Sequence, residues 1–220
     1  MKKEYKYASI FFVIIAVGIT SISYFYDEVD LKRNTTNDTN IDDKQFLRTP
    51  PELQGISGYI NTSQDKINQD IEGKVVIYDF WTYSCINCIR TLPYLTAWDE
   101  KYRDDGLVIV GIHTPEFEFE KKYENVVFAT EKFGIKYPVV QDNEKEIWND
   151  FQNRYWPRKY IADHEGYIRF DHIGEGAYKE TEKVIQVLLE ERSNALGNIL
   201  EKKQLVDLNE FTHATFRTPE

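Results

Sequence analysis

The sequence is poor in cysteine and lacks a cluster of basic residues. Only two cysteines occur in 220 residues, which excludes a disulfide-dense secreted scaffold, because such domains rely on several bridges. Acidic residues outnumber basic ones by 37 to 27, and the formal net charge is −10. Nucleic-acid binding depends on a basic surface. We therefore expect no nucleic-acid partner.

Metal ligands are also scarce. No second Cys-x-x-Cys motif is present, whereas a structural zinc site needs four ligands at characteristic spacings. Covalent haem attachment needs a histidine directly after the second cysteine, and Ile89 stands there. We expect no metal and no cofactor, although a metallochaperone or another non-catalytic partner module stays open as an alternative. The four histidines show no ligand-like spacing; they are His113, His164, His172 and His213.

The N-terminus contains an uncharged run, residues 8–26, which reads ASIFFVIIAVGITSISYFY. Its length is close to the ~20 residues that cross a bilayer as a helix. Lysines precede the run and acidic residues follow it, so the positive-inside rule places the later residues outside the cytoplasm. We predict a membrane anchor over residues 1–27. The alternative is a cleaved signal peptide and a secreted protein.

The remaining chain divides by composition. Residues 28–49 are polar and lack an apolar period, which predicts a disordered tether. Residues 50–203 read as a single α/β domain, and residues 204–220 as a loose tail. The first half of the domain is predicted to contain strands at 74–80 and 107–112 and helices at 85–102 and 118–133. The second half is predicted to contain an extended piece at 137–142, a short helix at 143–152, a hairpin formed by 158–163 and 167–173, and a helix from about 179 to beyond 190. This order predicts a central mixed sheet flanked by helices, whose first two strands are parallel.

Both cysteines lie in the stretch FWTYSCINCIRTLP, at the first turn of the helix that follows a predicted buried strand. A helix N-terminus offers free N–H groups and the positive end of the dipole, which stabilise a thiolate on Cys85. Cys88, one turn further on, would be more buried and would resolve a mixed disulfide. A purely structural bridge is disfavoured because the closed loop would be very short. The pattern favours a redox couple over a staple or a metal clamp.

The surrounding motifs resemble the active site of the thioredoxin superfamily. Asp79-Phe80-Trp81 is followed by Cys85-x-x-Cys88 and then by Pro93. More narrowly, GKVVIYDFWTYSCINCIRTLPYL, GIHTPEFEFE, NRYWPRKY and IGEGAYKETE are similar to the thioredoxin-like domain of DipZ-type and TlpA/ResA-like proteins. The resemblance runs from about Val75 through the final helix. It implies a thioredoxin-like fold.

The resemblance also implies roles for individual residues. Cys85 and Cys88 would form the redox-active disulfide, and buried Asp79 would accept the proton of Cys88. Trp81 would pack beneath the active-site loop. Pro157 would be the cis-proline that faces the cysteines, and Trp156 before it would border the groove where a substrate strand pairs. Further candidates are Pro138, as a competing cis-proline, and His113, Glu116 and Glu175, whose roles stay open.

The implied function is a membrane-anchored thiol–disulfide oxidoreductase outside the cytoplasm, acting as a reductant. Its expected partners are disulfide-containing envelope proteins, such as apocytochrome c or copper proteins, and a transmembrane dithiol electron carrier. A thiol peroxidase is an alternative, because Thr82 and Cys85 have the T-x-x-C spacing of peroxiredoxin-like sites. Tyr78 stands where those sites place a proline four residues before the threonine.

Overall fold

The computed structural model describes residues 48–206 of the chain. The predicted anchor, almost all of the tether and most of the tail lie outside these residues. The described elements are β1 (Gly58–Ile60), α1 (Gln64–Ile71), β2 (Val75–Trp81), α2 (Ile86–Tyr102), β3 (Leu107–His113), a 3₁₀ turn (Glu118–Lys121), α3 (Tyr123–Lys132), β4 (Val139–Gln141), α4 (Glu146–Asp150), β5 (Arg158–Ala162), β6 (Ile168–Ile173) and α5 (Tyr178–Ala195).

The six strands form one mixed sheet in the order β1-β4-β3-β2-β5-β6. The strands β2, β3 and β4 run parallel, while β1, β5 and β6 pair antiparallel with their neighbours. This arrangement confirms the predicted α/β architecture, including the parallel pairing of the first two predicted strands. It places β2, which leads into the cysteine motif, near the middle of the sheet.

The strand β2 is buried on both faces, as its continuous apolar run indicates. Side chains alternate along a strand, so Val76, Tyr78 and Phe80 join one core cluster. The residues between them face the other core cluster, which also contains Cys88 of α2. Asp79 has the same parity as Trp81 and therefore faces the helix that carries the second cysteine. The alternation of β2 is what puts a carboxylate beneath the cysteine motif.

Two parts of the fold differ from the sequence prediction. The strand β1 and the helix α1 were not predicted at all, since β1 has three residues and α1 buries only Ile67. The single helix predicted over 118–133 was wrong in its first turn. That segment is a 3₁₀ turn followed by α3, and the backbone at Lys122 between them is extended.

Among the described residues, no helix combines the length and the hydropathy that a membrane span requires. The predicted span, residues 8–26, lies outside that part of the chain.

Candidate active site

Cys85 lies at the N-cap of α2, where its Sγ accepts a hydrogen bond from the backbone N–H of Cys88 at 3.4 Å. Both cysteines are free thiols; Cys85 is half-buried and Cys88 is fully buried. Hydrogen bonding from the Cys88 thiol, together with the backbone N–H groups of Cys88 and Asn87, lowers the pKa of Cys85 to about 6. Burial and the carboxylate of Glu116 act in the opposite direction.

Cys88 has the opposite character. Burial and its contact with Cys85 raise the pKa of the Cys88 thiol above its ordinary value. At neutral pH, the outer cysteine is therefore a thiolate and the inner one holds its proton. This asymmetry suits disulfide exchange, in which the outer sulfur attacks and the inner sulfur must first lose a proton.

Asp79 faces Cys88 from β2 and is completely buried. Burial raises the pKa of its carboxyl to about 6, and the nearby Lys159 opposes that rise. Neither carboxylate oxygen accepts a hydrogen bond from another described residue. A carboxyl group with a pKa in this range can accept and return a proton near neutral pH.

Lys159 is a component of the site that the sequence analysis missed. It is the cross-strand partner of Asp79 in the antiparallel pairing of β5 with β2, and it is also completely buried. Its Nζ donates no hydrogen bond to any described residue. Burial lowers the pKa of Lys159, whereas Asp79 and Cys88 act to raise it. The one sequence signal was a lysine directly before the apolar residues Tyr160–Ala162 of β5.

Glu120 is the second component that the sequence did not reveal. Its buried carboxylate accepts hydrogen bonds from the hydroxyl groups of Thr82, at 2.5 Å, and of Ser84. Its other oxygen accepts the backbone N–H groups of Glu116 and Phe117 at 2.6 and 2.9 Å. Burial alone would raise the pKa of Glu120, but these four donors hold it below its ordinary value. Ionised Glu120 thus clamps the loop before Cys85 to the loop after β3.

Thr82 and His113 form the buried wall beside this clamp. Both side chains are fully buried, and the imidazole Nε2 lies 3.4 Å from the Thr82 hydroxyl. The imidazole ring stacks on Tyr83, with ring centroids 5.5 Å apart. Burial lowers the pKa of His113 to about 4, although Glu120 opposes the change. A neutral, packed histidine supports the loop rather than exchanging protons near pH 7.

The peptide bond between Trp156 and Pro157 is cis, whereas the bond before Pro138 is not. The indole N–H of Trp156 donates to the carbonyl of Thr114 at 3.0 Å. Its ring packs on Trp148, with centroids 4.0 Å apart, and the residue as a whole is half-buried.

The other two candidate residues occupy different surroundings. Trp81 is fully buried, and its ring lies edge-on to that of His113. Glu175 lies in the loop before α5 and pairs with Arg90 of α2 at 3.4 Å. Among residues 48–206, no group of three or more potential ligand side chains could hold a metal ion.

Comparisons with known proteins show what this domain is similar to. Residues 73–168 match a family profile described as thioredoxin-like. The chain is 45% identical over 143 residues to the protein DipZ of Mycobacterium tuberculosis, and the match covers 64% of this chain and 21% of DipZ. The chain is 29% identical over 146 residues to the thiol-disulfide oxidoreductase YkuV of Bacillus subtilis, and the match covers 66% of this chain and 97% of YkuV.

Among solved structures, the solution structure of a thioredoxin-like protein in the oxidised form matches with a TM-score of 0.60 and 27% identity. That match covers 66% of this chain and 97% of the other. The fold and the paired cysteines define a thioredoxin-like oxidoreductase domain. More narrowly, these matches support a thioredoxin-superfamily redoxin similar to ResA and DipZ. It spans about a fifth of the length of the DipZ proteins, at 21%.

Proposed function

We propose that this protein is a membrane-anchored thiol–disulfide oxidoreductase that works outside the cytoplasm through Cys85 and Cys88. The observation that carries the proposal is the asymmetry of the two cysteines. The thiolate-forming sulfur lies half-buried at a helix N-terminus, and the proton-holding sulfur lies buried above Asp79. Residues 8–26 would hold the domain at the membrane, and no nucleic acid or cofactor takes part.

The proposed reaction proceeds in two exchanges. The Cys85 thiolate attacks one sulfur of a substrate disulfide, the substrate S–S bond breaks, and its other sulfur leaves as a thiolate. Asp79 then takes the proton of Cys88, and the Cys88 thiolate attacks Sγ of Cys85. The second substrate thiolate leaves, the substrate has gained two electrons, and Cys85 and Cys88 are joined by a disulfide. The groove beside Pro157 and Trp156 would hold the substrate strand, and Trp81 would support the loop.

We propose the reducing direction. The support for this direction is the resemblance to DipZ-type and TlpA/ResA-like domains; the lowered pKa of Cys85 suits attack by its thiolate in either direction. A reductant outside the cytoplasm needs a source of electrons, so a transmembrane dithiol carrier is the proposed donor. The proposed acceptors are disulfide-containing envelope proteins, such as apocytochrome c or copper proteins.

The position of Thr82 disfavours the peroxidase alternative. A peroxidase needs the threonine hydroxyl to be directed at a bound peroxide, but this side chain is fully buried and donates its proton to Glu120. Exchange chemistry needs only that Thr82 holds the loop.

The reduction potential of the Cys85–Cys88 couple tests the function and its direction. We would equilibrate the purified protein with glutathione and dithiothreitol buffers and quantify the thiols by alkylation and mass spectrometry. We expect a reversible two-electron couple near the ~−270 mV of thioredoxin. A value near the ~−120 mV of DsbA would contradict the reducing direction, and the lack of any reversible couple would contradict the function.

A cysteine variant tests the order of attack. Cys88→Ser removes the resolving sulfur, so we expect stable mixed disulfides between Cys85 and substrate proteins. The matched control is Cys85→Ser, which removes the attacking thiolate and should trap far fewer partners. Equal trapping by both variants would contradict the assigned order.

A further inference from the structure

An exposed aromatic surface lies next to the reactive cysteine. Phe117 and Phe119 are 50% and 51% exposed, and their rings stack with centroids 5.6 Å apart. The ring of Tyr83, two residues before Cys85, lies 6.3 Å from that of Phe119. We call Tyr83, Phe117 and Phe119 the aromatic surface. Adjacent exposed aromatic side chains are typical of protein-binding sites.

The aromatic surface is fixed relative to Cys85. The Glu120 carboxylate binds the Ser84 hydroxyl on one side and the backbone N–H groups of Glu116 and Phe117 on the other. The Tyr83 hydroxyl also donates to the carbonyl of Phe119 at 3.1 Å. A surface that is already ordered loses little conformational entropy when a partner binds, so it is suited to recognition.

The aromatic surface carries a negative charge at its edge. Glu116 is exposed directly before Phe117, and its charge reaches Cys85. Its carboxylate forms no ion pair with another described residue, whereas neighbouring Glu118 pairs with Lys121 at 3.0 Å. An unpaired anion beside aromatic rings attracts a cationic side chain, which can also pack against the rings. The net charge of −10 acts in the same direction.

We propose that the aromatic surface and Glu116 recognise a substrate segment with a lysine or arginine and an apolar side chain close to its reacting cysteine. This inference rests on the proposed function and specifies its substrate class. The surface is continuous with the site of exchange, since Tyr83 and Ser84 lead directly into Cys85. The cation would pair with Glu116, and the apolar side chain would cover the phenylalanine rings.

Two peptide disulfides that differ in one residue test the charge preference. Each is a symmetric dimer of a leucine-containing peptide with one cysteine, and the variable position near the cysteine is lysine or glutamate. The rate constant for oxidation of the full, reduced protein is measured with each peptide. We expect the lysine peptide to react about two- to fivefold faster, as suits a partly exposed ion pair. High salt should bring the ratio towards one.

Glu116→Gln should reduce that ratio towards one, whereas Glu124→Gln, on the exposed side of α3, should leave it unchanged. Glu116→Gln also changes the pKa of Cys85. That change affects the rates with both peptides equally, so it cancels in their ratio. A ratio that Glu116→Gln leaves unchanged would overturn the charge preference.

Phe119→Ser tests the apolar contact against Phe128→Ser, a change at a residue of α3 that is 65% exposed. We expect Phe119→Ser to slow the leucine-containing peptides severalfold more than it slows hydroxyethyl disulfide, which has no apolar side chain to cover the rings. Equal effects of the two variants would overturn the recognition surface while the exchange function stands. If no disulfide oxidises the protein, both proposals are wrong.

Discussion

At the scale of single residues, the side chains of Asp79 and Lys159 lie beneath Cys88, and neither forms a hydrogen bond with a described residue. Both are fully buried, and they are partners across β2 and β5. Burying charges in this way costs free energy, so the arrangement is explained better by proton transfer than by stability. Tyr137 and Cys88 are the other titratable groups that the Asp79 charge reaches.

Replacing Lys159 by methionine should shift the pH dependence of the resolving step. Lys159 opposes the rise in the Asp79 pKa to about 6, so removing it should raise that pKa further. Because only the ionised carboxylate accepts the Cys88 proton, the midpoint of the rate profile should move to higher pH. Acid quenching and mass spectrometry of the mixed disulfide during a single turnover would measure this rate.

Two controls test whether the shifted pH midpoint arises from proton transfer between Cys88 and Asp79. Alkylation of Cys85 should give an unchanged pKa in Lys159→Met, because the first step does not depend on Lys159. Asp79→Asn/Lys159→Met should lose the pH step itself and slow resolution by about 10²-fold or more. A midpoint that stays in place or moves to lower pH in Lys159→Met would contradict the proton-transfer role.

Stability should respond in the opposite direction to activity. Asp79→Leu/Lys159→Met replaces two buried charges with apolar side chains, and such replacements are often neutral or stabilising by about 1–4 kcal/mol. We expect the free energy of unfolding in denaturant to be equal or higher at pH 7 while resolution is slow. Asp79→Leu alone, which leaves Lys159 without its counter-charge, should be destabilised relative to the double variant. If the double variant is the less stable of these two, the pair is structural.

The residues of the site differ in how far the sequence reveals them. Cys85, Cys88 and Asp79 are close together in sequence, so strand alternation and helix position suffice to place them. Lys159 reaches Asp79 only through the register of β5 on β2. That register follows from tertiary pairing of residues 80 positions apart, which a local pattern does not contain. Glu120 likewise becomes informative only when its loop folds onto Thr82 and Ser84.

At the scale of elements, the 3₁₀ turn before α3 is shaped by one side chain. The local sequence has helical character throughout 118–133, and this led to the prediction of one continuous helix. The Glu120 carboxylate instead folds back onto the backbone N–H groups of Glu116 and Phe117. The chain is extended at Lys122 before α3 begins. The strand β1 was missed for a related reason, because three residues become a strand only by pairing with β4.

Glu120→Gln should weaken this turn. A glutamine has one acceptor oxygen, so its amide N–H₂ must face either the two hydroxyl groups or the two backbone N–H donors. We expect the free energy of unfolding to fall by about 1–3 kcal/mol. Chemical denaturation at pH 7 would measure the change, and the exposed Glu124→Gln should stay within about 0.5 kcal/mol of the original protein.

The pH dependence of this difference follows from the pKa of Glu120, which the four donors hold below the ordinary value of 4.5. A carboxyl group with a lowered pKa stabilises the folded state above its unfolded-state pKa, and this contribution is lost as the pH falls through the folded-state pKa. The difference between the original protein and Glu120→Gln should therefore be full above about pH 5 and shrink below 4.5. A difference that persists unchanged in acid would contradict an ionised clamp.

At the scale of the whole molecule, the place of action depends on residues outside the described part of the chain. The domain accounts for exchange chemistry wherever it resides, whereas the proposed role as an envelope reductant requires export. The proposal rests on the uncharged run of residues 8–26, with basic residues before it and acidic residues after it. Charges in the middle of a spanning helix cost about 2.5–3.5 kcal/mol each. Two arginines there should prevent membrane insertion.

We predict that the full chain stays with bacterial membranes after alkaline extraction and that Ile14→Arg/Val17→Arg does not. Thr36→Arg/Thr39→Arg, which adds the same charges to the predicted tether, should remain bound, because that segment is expected to lie in water. The intact mass of the extracted protein separates the two export routes. A mass that includes residues 1–27 supports an anchor, since a signal peptide is removed by cleavage. A shorter, released protein would contradict the anchor but would still place the domain outside the cytoplasm. An intact chain that alkali releases would contradict both export routes and therefore the proposed role in the envelope.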